Sequence, residues 1–248
     1  MPVVTPEKGL LGHYLQVPES VITSSIQKYL DQRKAPNTNM KNLIVVEGLI
    51  GAGKSTLLRL LSSKGKNVIE ENLELWNYTG TSTPGLFSTY LTSRRTSDLA
   101  SFQLLVTTAY FVQAANMTNH TYYQERSIYA AWKVFLPELR ITDQQRQMIE
   151  FYMQSLMNRM PLPKYVIFLD VPVDTCYSRI LARGRPHETV SKEYLQRLRR
   201  GHRHLLAWYQ TRQVPVVTLR PEEINDDILD TLERKSSQAL TTLAATLP

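Results

Sequence analysis

Short apolar runs alternate with longer stretches of helical periodicity along most of the chain. Runs rich in Val, Ile, Leu and Tyr over 42–47, 67–70, 121–124, 165–170 and 215–219 read as strands. Helical spacing fills the intervals, over 54–63, 97–118, 142–158, 173–183 and 191–211, with another helix near 225–245. Alternation of this kind predicts an α/β domain whose parallel sheet is covered by helices on both faces. The stretch 97–118 is apolar on nearly every side, which predicts a buried helix. No apolar run approaches the roughly 18 residues that span a bilayer, so no membrane-spanning segment is expected.

Residues 1–41 differ in texture. They hold Pro2, Pro6, Pro18 and Pro36 and no strong strand. Ile22, Ile26, Tyr29, Leu30 and Arg33 fit one amphipathic helix over 20–33. Glu7, Glu19 and Asp31, with no compact apolar core, argue against a secretory signal and a mitochondrial transit peptide. The expectation is a partly disordered extension on a single domain over 42–248. The chain has 248 residues, a length that fits one large domain, or one domain plus an appendage.

Charge and cysteine content narrow the function classes. Cys176 is the only cysteine, which excludes an internal disulfide framework and a zinc site of clustered cysteines. A reducing compartment fits, the cytoplasm first, with mitochondrion and nucleus left open. Formal charge is +7, so anionic partners are expected: phosphorylated small molecules, nucleic acid or a membrane surface. Ten Lys and Arg lie between Arg179 and Arg220 against only Glu188 and Glu193, a local +8. Such a run is either a solvated helix face or a cluster facing a polyphosphate.

Residues 43–56 read LIVVEGLIGAGKST. Gly48, Gly53, Lys54 and Ser55 satisfy G-x-x-x-x-G-K-[ST], and the motif sits between an apolar strand and a helical run. Backbone N–H groups of Gly48, Leu49, Ile50, Gly51, Ala52 and Gly53 are the expected cradle for a triphosphate, aided by the helix dipole. Lys54 would reach the β- and γ-phosphates, and the Ser55 or Thr56 hydroxyl would ligate magnesium. No Asn-Lys-x-Asp guanine motif follows, which argues against a GTPase. Asp170, ending the strand YVIFLD, is a weaker candidate for magnesium or simply turn chemistry.

Three further segments narrow the reading: ENLELW at 71–76, ERSIY at 125–129, and CYSRILARGRPHE at 176–188, followed by EYLQRL at 193–198. In this order after the P-loop they resemble the deoxyribonucleoside kinase family, over about 42–220. The resemblance implies a P-loop kinase fold with a five-stranded parallel sheet, a lid segment and a homodimer. It implies transfer of the ATP γ-phosphate, with Mg2+, to a nucleoside 5′-hydroxyl, a step of nucleotide salvage. By the same resemblance Glu71 is the general base, and Arg126 tethers it and the hydroxyl; Glu125, the other candidate for the base, instead helps hold the metal with Ser55. Arg179, Arg183 and Arg185 form the lid over the phosphates.

The nucleoside pocket follows from the same resemblance. Trp76 lines sugar and base, Phe135 stacks on the base, and Gln103 pairs with the pyrimidine edge, where an amide free to flip would satisfy thymine or cytosine. Tyr90 and Glu188 contact the 3′-hydroxyl. In the purine-accepting branch an Asp stands at the place of Ala131 and an Arg at that of Tyr110. Their absence, and the room beside Ala131, imply thymidine as the favoured substrate and deoxycytidine as another. Asn72, His187 and Arg203 depart from the family pattern. Two rivals share the scaffold: a thymidylate kinase-like nucleoside monophosphate kinase, and a P-loop ATPase stimulated by nucleic acid through 179–220. ENLELWNY supplies no cation for an acceptor phosphate, which disfavours the first. Under the main reading neither a membrane nor a nucleic-acid partner is expected.

Overall fold

The computed structural model describes residues 42–71, 76, 86–93, 95–160, 162–185 and 188–245. The extension, its expected helix, Asn72 and His187 lie outside the described residues. Five strands, β1 (Leu43–Gly48), β2 (Asn67–Ile69), β3 (Tyr122–Glu125), β4 (Tyr165–Leu169) and β5 (Val216–Leu219), form one sheet in the order β2-β3-β1-β4-β5. Every pairing is parallel. All residues of β1 and β4 are buried, as expected of strands covered on both faces.

The helices are α1 (Lys54–Ser63), α2 (Leu86–Thr92), α3 (Thr96–Ala115), α4 (Ile128–Ala130), α5 (Asp143–Met157), α6 (Val173–Arg183), α7 (Lys192–Gln210) and α8 (Ile228–Ala245). The expected α/β fold and its five strands are therefore present. The buried helix expected over 97–118 is α3, which stops earlier, at Ala115, and leaves Val112 exposed. No helix among the described residues is long and apolar enough to cross a membrane.

Two helical regions have no counterpart in the periodicity. One is α2. The other runs from α4 through a π-turn (Ala131–Phe135) into a 3-10 turn (Leu136–Glu138). Ser127 starts it by accepting the Ala130 N–H at 3.1 Å. The π-turn rests on α7 at Gly201, where a Cβ would lie 3.1 Å from the Val134 Cα. A mixture of α, π and 3-10 turns has no single period, so the hydrophobic pattern is silent there.

Strand order sets up the site. Val46 of β1 is in register with Glu125 of β3, and Ile69 of β2 with Gln124. The segments leaving β2, β3 and β1 at their carboxyl ends therefore lie side by side. These are Glu71, Glu125–Arg126 and the P-loop, at the end of the sheet where open α/β folds bind ligands.

Candidate active site

A cavity of about 840 Å³ opens over these strand ends. It is lined by Lys54, Ser55, Glu71, Trp76, Gln103 and Tyr110, among others, with the lid arginines across from them.

On one side stands the P-loop. Gly51 has φ +80, and a Cβ there would meet the Cys176 carbonyl of α6 at 2.6 Å, so only glycine lets loop and helix approach this closely. Lys54 is buried and donates to the Leu49 carbonyl at 3.0 Å, with Glu125 Oε1 3.7 Å away. Burial, then the neighbouring Arg126, pulls the Lys54 ammonium down to about 8, while Glu125, Glu71 and Glu47 hold it up. Ser55 Oγ donates to Glu125 Oε2 at 2.9 Å. A hydroxyl and a carboxylate meeting beside the P-loop lysine are oxygen donors of the kind a hard divalent cation takes, so the residues fit Mg2+. Among the described residues no group of three or more His, Cys, Asp or Glu forms a metal cluster, so any cation here would draw its remaining ligands from phosphate or water.

Of the expected cradle, Ile50, Gly51, Gly53, Lys54, Ser55 and Thr56 line the cavity. Gly48, Leu49 and Ala52 do not: the Leu49 and Ala52 side chains point into the core, where an apolar side chain is worth more than at a polar rim. The part Leu49 plays is its carbonyl, which holds Lys54.

On the other side stands Glu71. Arg126 Nη1 bonds Glu71 Oε1, and the Tyr110 hydroxyl donates to the same oxygen at 3.2 Å. Burial alone would raise the Glu71 carboxyl, but Arg126 and Lys54 outweigh it and hold it below the usual range. Arg126 has φ +60, a left-handed conformation that costs a non-glycine residue on the order of 1–3 kcal/mol. Its N–H donates to the Val46 carbonyl at 2.9 Å, and its own carbonyl accepts from Gln124 Nε2 at 2.8 Å. The turn so held aims the guanidinium across β3 at Glu71, over the Phe135 ring at 5.0 Å. Arg126 Nε and Trp76 Nε1 are buried with no partner among the described residues. Both residues line the cavity, and buried donors of this kind call for a polar ligand.

The other expected nucleoside contacts also gather here. Trp76, Tyr90, Gln103, Ala131, Phe135 and Glu188 all line the cavity. Tyr90 stacks on Phe102 at 4.3 Å, and its hydroxyl is hydrogen-bonded to Tyr194. The expectation of a freely flipping Gln103 is corrected: its Nε2 donates to the Ala131 carbonyl at 2.9 Å. Flipping would set Oε1 against that carbonyl oxygen and forfeit the bond, so the amide is pinned.

The lid arginines are engaged. Arg179 Nη1 donates to the Ala52 carbonyl at 3.3 Å, and Arg183 Nη2 pairs with Glu188 at 2.6 Å. Arg185 lies 3.9 Å from the same carboxylate. Much of the basic run is matched by acids from elsewhere: Arg197 with Glu138, Lys192 with Asp174, and Arg199 with Asp170 at 2.9 Å. Asp170 is thus held by Arg199 and does not line the cavity. His202 is buried and His204 exposed, the divergence their two-residue spacing implies.

Three residues of the site went unsignalled by the motifs. Tyr110 enters as a missing arginine, not as a donor to Glu71. Tyr194 lies within EYLQRL without a marker of its contact. Glu47 precedes the P-loop glycine and is fully buried, accepting from Ser127 Oγ at 2.6 Å.

Known proteins resemble this chain in sequence and in fold. A family model described as deoxynucleoside kinase matches residues 44–244. A fowlpox virus (strain NVSL) protein named "Probable deoxycytidine kinase" is 31% identical over 203 residues, covering 78% of this chain and 83% of its own. A deoxyguanosine kinase of Lactobacillus johnsonii is 29% identical over 182 residues, 68% of this chain and 76% of that one. The solved structure of deoxyadenosine kinase from M. mycoides with bound dCTP superposes with a TM-score of 0.63. At 22% identity, covering 77% of this chain and 99% of that one, it shares the fold.

Proposed function

The chain belongs to the deoxynucleoside kinase family, and from that premise we propose that it phosphorylates the 5′-hydroxyl of thymidine and, second, deoxycytidine, with ATP as donor. The observation that carries this reading is Glu71, anchored by Arg126 and Tyr110 and facing the P-loop lysine across one cavity. A 5′-hydroxyl is a poor nucleophile, and a carboxylate within reach can take its proton as the phosphoryl group arrives. Held below the usual range, Glu71 is ionised at neutral pH and ready to accept. Arg126 orients the carboxylate. Lys54 and the lid residues Arg179, Arg183 and Arg185 offset the charge that builds on the transferring group. Ser55 and Glu125 would hold Mg2+, which when bound neutralises phosphate charge.

Trp76 and Phe135 enclose the base, and Tyr90 and Glu188 receive the 3′-hydroxyl. The pinned Gln103 offers a fixed acceptor and N–H, so thymine and cytosine, with opposite donor and acceptor edges, cannot be met equally in one pose. The small Ala131 beside it leaves room for a 5-methyl, which puts thymidine first. Purines lack the Asp and Arg partners at 131 and 110. The same reading makes 42–248 one catalytic domain and 1–41 an appended extension. It also makes the protein a homodimer, for which α3 and α5 offer Val112, Met148 and Phe151, the last 75% exposed. Sedimentation of wild type against Phe151→Glu tests that face, and a wild-type monomer at micromolar concentration would sink it.

Labelled ATP with a panel of nucleosides and nucleotides, with and without DNA, tests the activity. Thymidine should give the highest kcat/KM, deoxycytidine the next, and DNA should have no effect. A purine deoxynucleoside ahead of thymidine would overturn the reading of Ala131 and Tyr110. Phosphorylation of monophosphates alone, or DNA-stimulated hydrolysis, would overturn the activity.

A further inference from the structure

We infer that Tyr110 is a positioning residue for the transfer, fixing through its hydroxyl which oxygen of Glu71 takes the substrate proton. The inference rests on Glu71 being the base, as proposed above. Tyr110 reaches Glu71 from α3, while Arg126 reaches it from the end of β3. Both donors converge on Oε1, at 3.2 Å in the case of Tyr110. Among the described residues Oε2 receives neither bond. A carboxylate gripped by one donor can still swing about it. Two donors from two elements hold it more firmly, and Oε2, which takes neither bond, is left as the proton acceptor.

The Tyr110 hydroxyl is suited to this part. Burial, then the charge of Glu71, keeps the phenol protonated well above its ordinary range, so it is a donor at every working pH. The groups facing Glu71 besides Tyr110 are Arg126, Lys54 and Glu47, and none duplicates the direction of the α3 bond. A packing role for the ring is also plain, since it meets Trp76 edge-on at 6.4 Å. The two roles separate in Tyr110→Phe, which keeps the ring and removes only the donor.

For Tyr110→Phe, kcat should fall about tenfold, the lower end for losing a hydrogen bond to a charged group. KM for thymidine should change by less than twofold, and the melting temperature should fall only by the few degrees that one lost hydrogen bond costs, leaving the protein folded under assay. In a Glu71→Gln background, whose residual rate is measured with labelled ATP, the same substitution should change kcat by less than twofold, because its effect runs through Glu71. A kcat for Tyr110→Phe within twofold of wild type overturns the inference, as does an undiminished loss in the Glu71→Gln background. A fully active Glu71→Gln would instead remove the assignment of the base, a result distinct from either.

Discussion

The two walls of the cavity are built in different ways. The P-loop wall is one continuous stretch, 48–56, whose shape lies in its backbone and whose lysine is held by a carbonyl five residues back. The opposite wall is assembled from Glu71, Trp76, Gln103, Tyr110, Arg126 and Phe135, which meet only because β3 lies between β2 and β1. The first wall has its lysine and serine satisfied, Lys54 by the Leu49 carbonyl of the same loop and Ser55 by Glu125 from the end of β3. The second keeps Arg126 Nε and Trp76 Nε1 buried without partners among the described residues. A donor site made by backbone can be carried from protein to protein as a motif. An acceptor site made by side chains across a sheet can change its substrate by single substitutions, while the donor site stays as it is.

The largest effect that would sharpen this contrast is Glu71→Gln. Loss of a general base should lower kcat by roughly 10²–10⁴-fold, with nucleoside affinity retained because the base acts mainly in the transition state. Steady-state kinetics beside equilibrium binding of thymidine checks it. Retention of more than a third of wild-type turnover would move the base to Glu125.

Across the cavity, Lys54→Ala should lower kcat/KM for ATP by about 10²–10³-fold, the scale of one lost electrostatic contact to the transferring group. The factor should be the same for every nucleoside, since Lys54 belongs to the donor wall. A loss confined to one nucleoside would dissolve the division between the walls.

The same division explains what could be read before the structure. The P-loop, the five strands and six of the helices follow from local pattern, because strand burial and helical period are written in consecutive residues. Glu71, Arg126 and the lid arginines were legible through motifs, and the structure gathers all of them around one cavity. The Tyr110 hydrogen bond was not legible: a tyrosine 39 residues from its carboxylate carries no spacing signal. The pinning of Gln103 depends on a backbone carbonyl in a π-turn, which no side-chain pattern announces. Likewise the ion pairs of Arg197 and Arg199 reach acids outside the basic run, so its local charge overstated what faces solvent.

Glu47 lies buried in β1 immediately before the P-loop glycine, and its effect is one of stability. Burial raises its carboxyl to about 7, against the Ser127 hydrogen bond, Arg126 and Lys54, with Glu71 adding to the rise. The Tyr209 hydroxyl lies beyond Ser127, 3.1 Å from its Oγ. A folded pKa above the unfolded value favours the protonated folded state. The contribution is therefore full below about 4.5 and is lost as pH rises through about 7. Glu47→Gln keeps an oxygen for Ser127 and does not titrate. The stability of wild type minus Glu47→Gln should fall by roughly 3 kcal/mol across that window. Buried His202, pulled down to about 3 by burial, works in the opposite sense as pH drops below 6.5, but it is present in both proteins and cancels in the difference. Urea unfolding at pH 5 and pH 8 measures it, and parallel curves would refute it.

The smallest effect tests the acceptor wall where it is most specific. The Ala131 carbonyl is occupied by Gln103, so what this residue offers a base is its methyl group and the space around it. Thymidine and deoxyuridine share the edge that the pinned amide reads and differ only in the 5-methyl. Burying one such group contributes about 0.8 kcal/mol, or roughly fourfold in kcat/KM. Thymidine should lead deoxyuridine by about that factor. Ala131→Asp should reverse the order, because a carboxylate would fill the space and lose water against the methyl. If the two nucleosides were phosphorylated equally well by wild type, the 5-position would not face Ala131. Thymidine preference would then have to come from the Gln103 edge alone, which deoxyuridine presents identically.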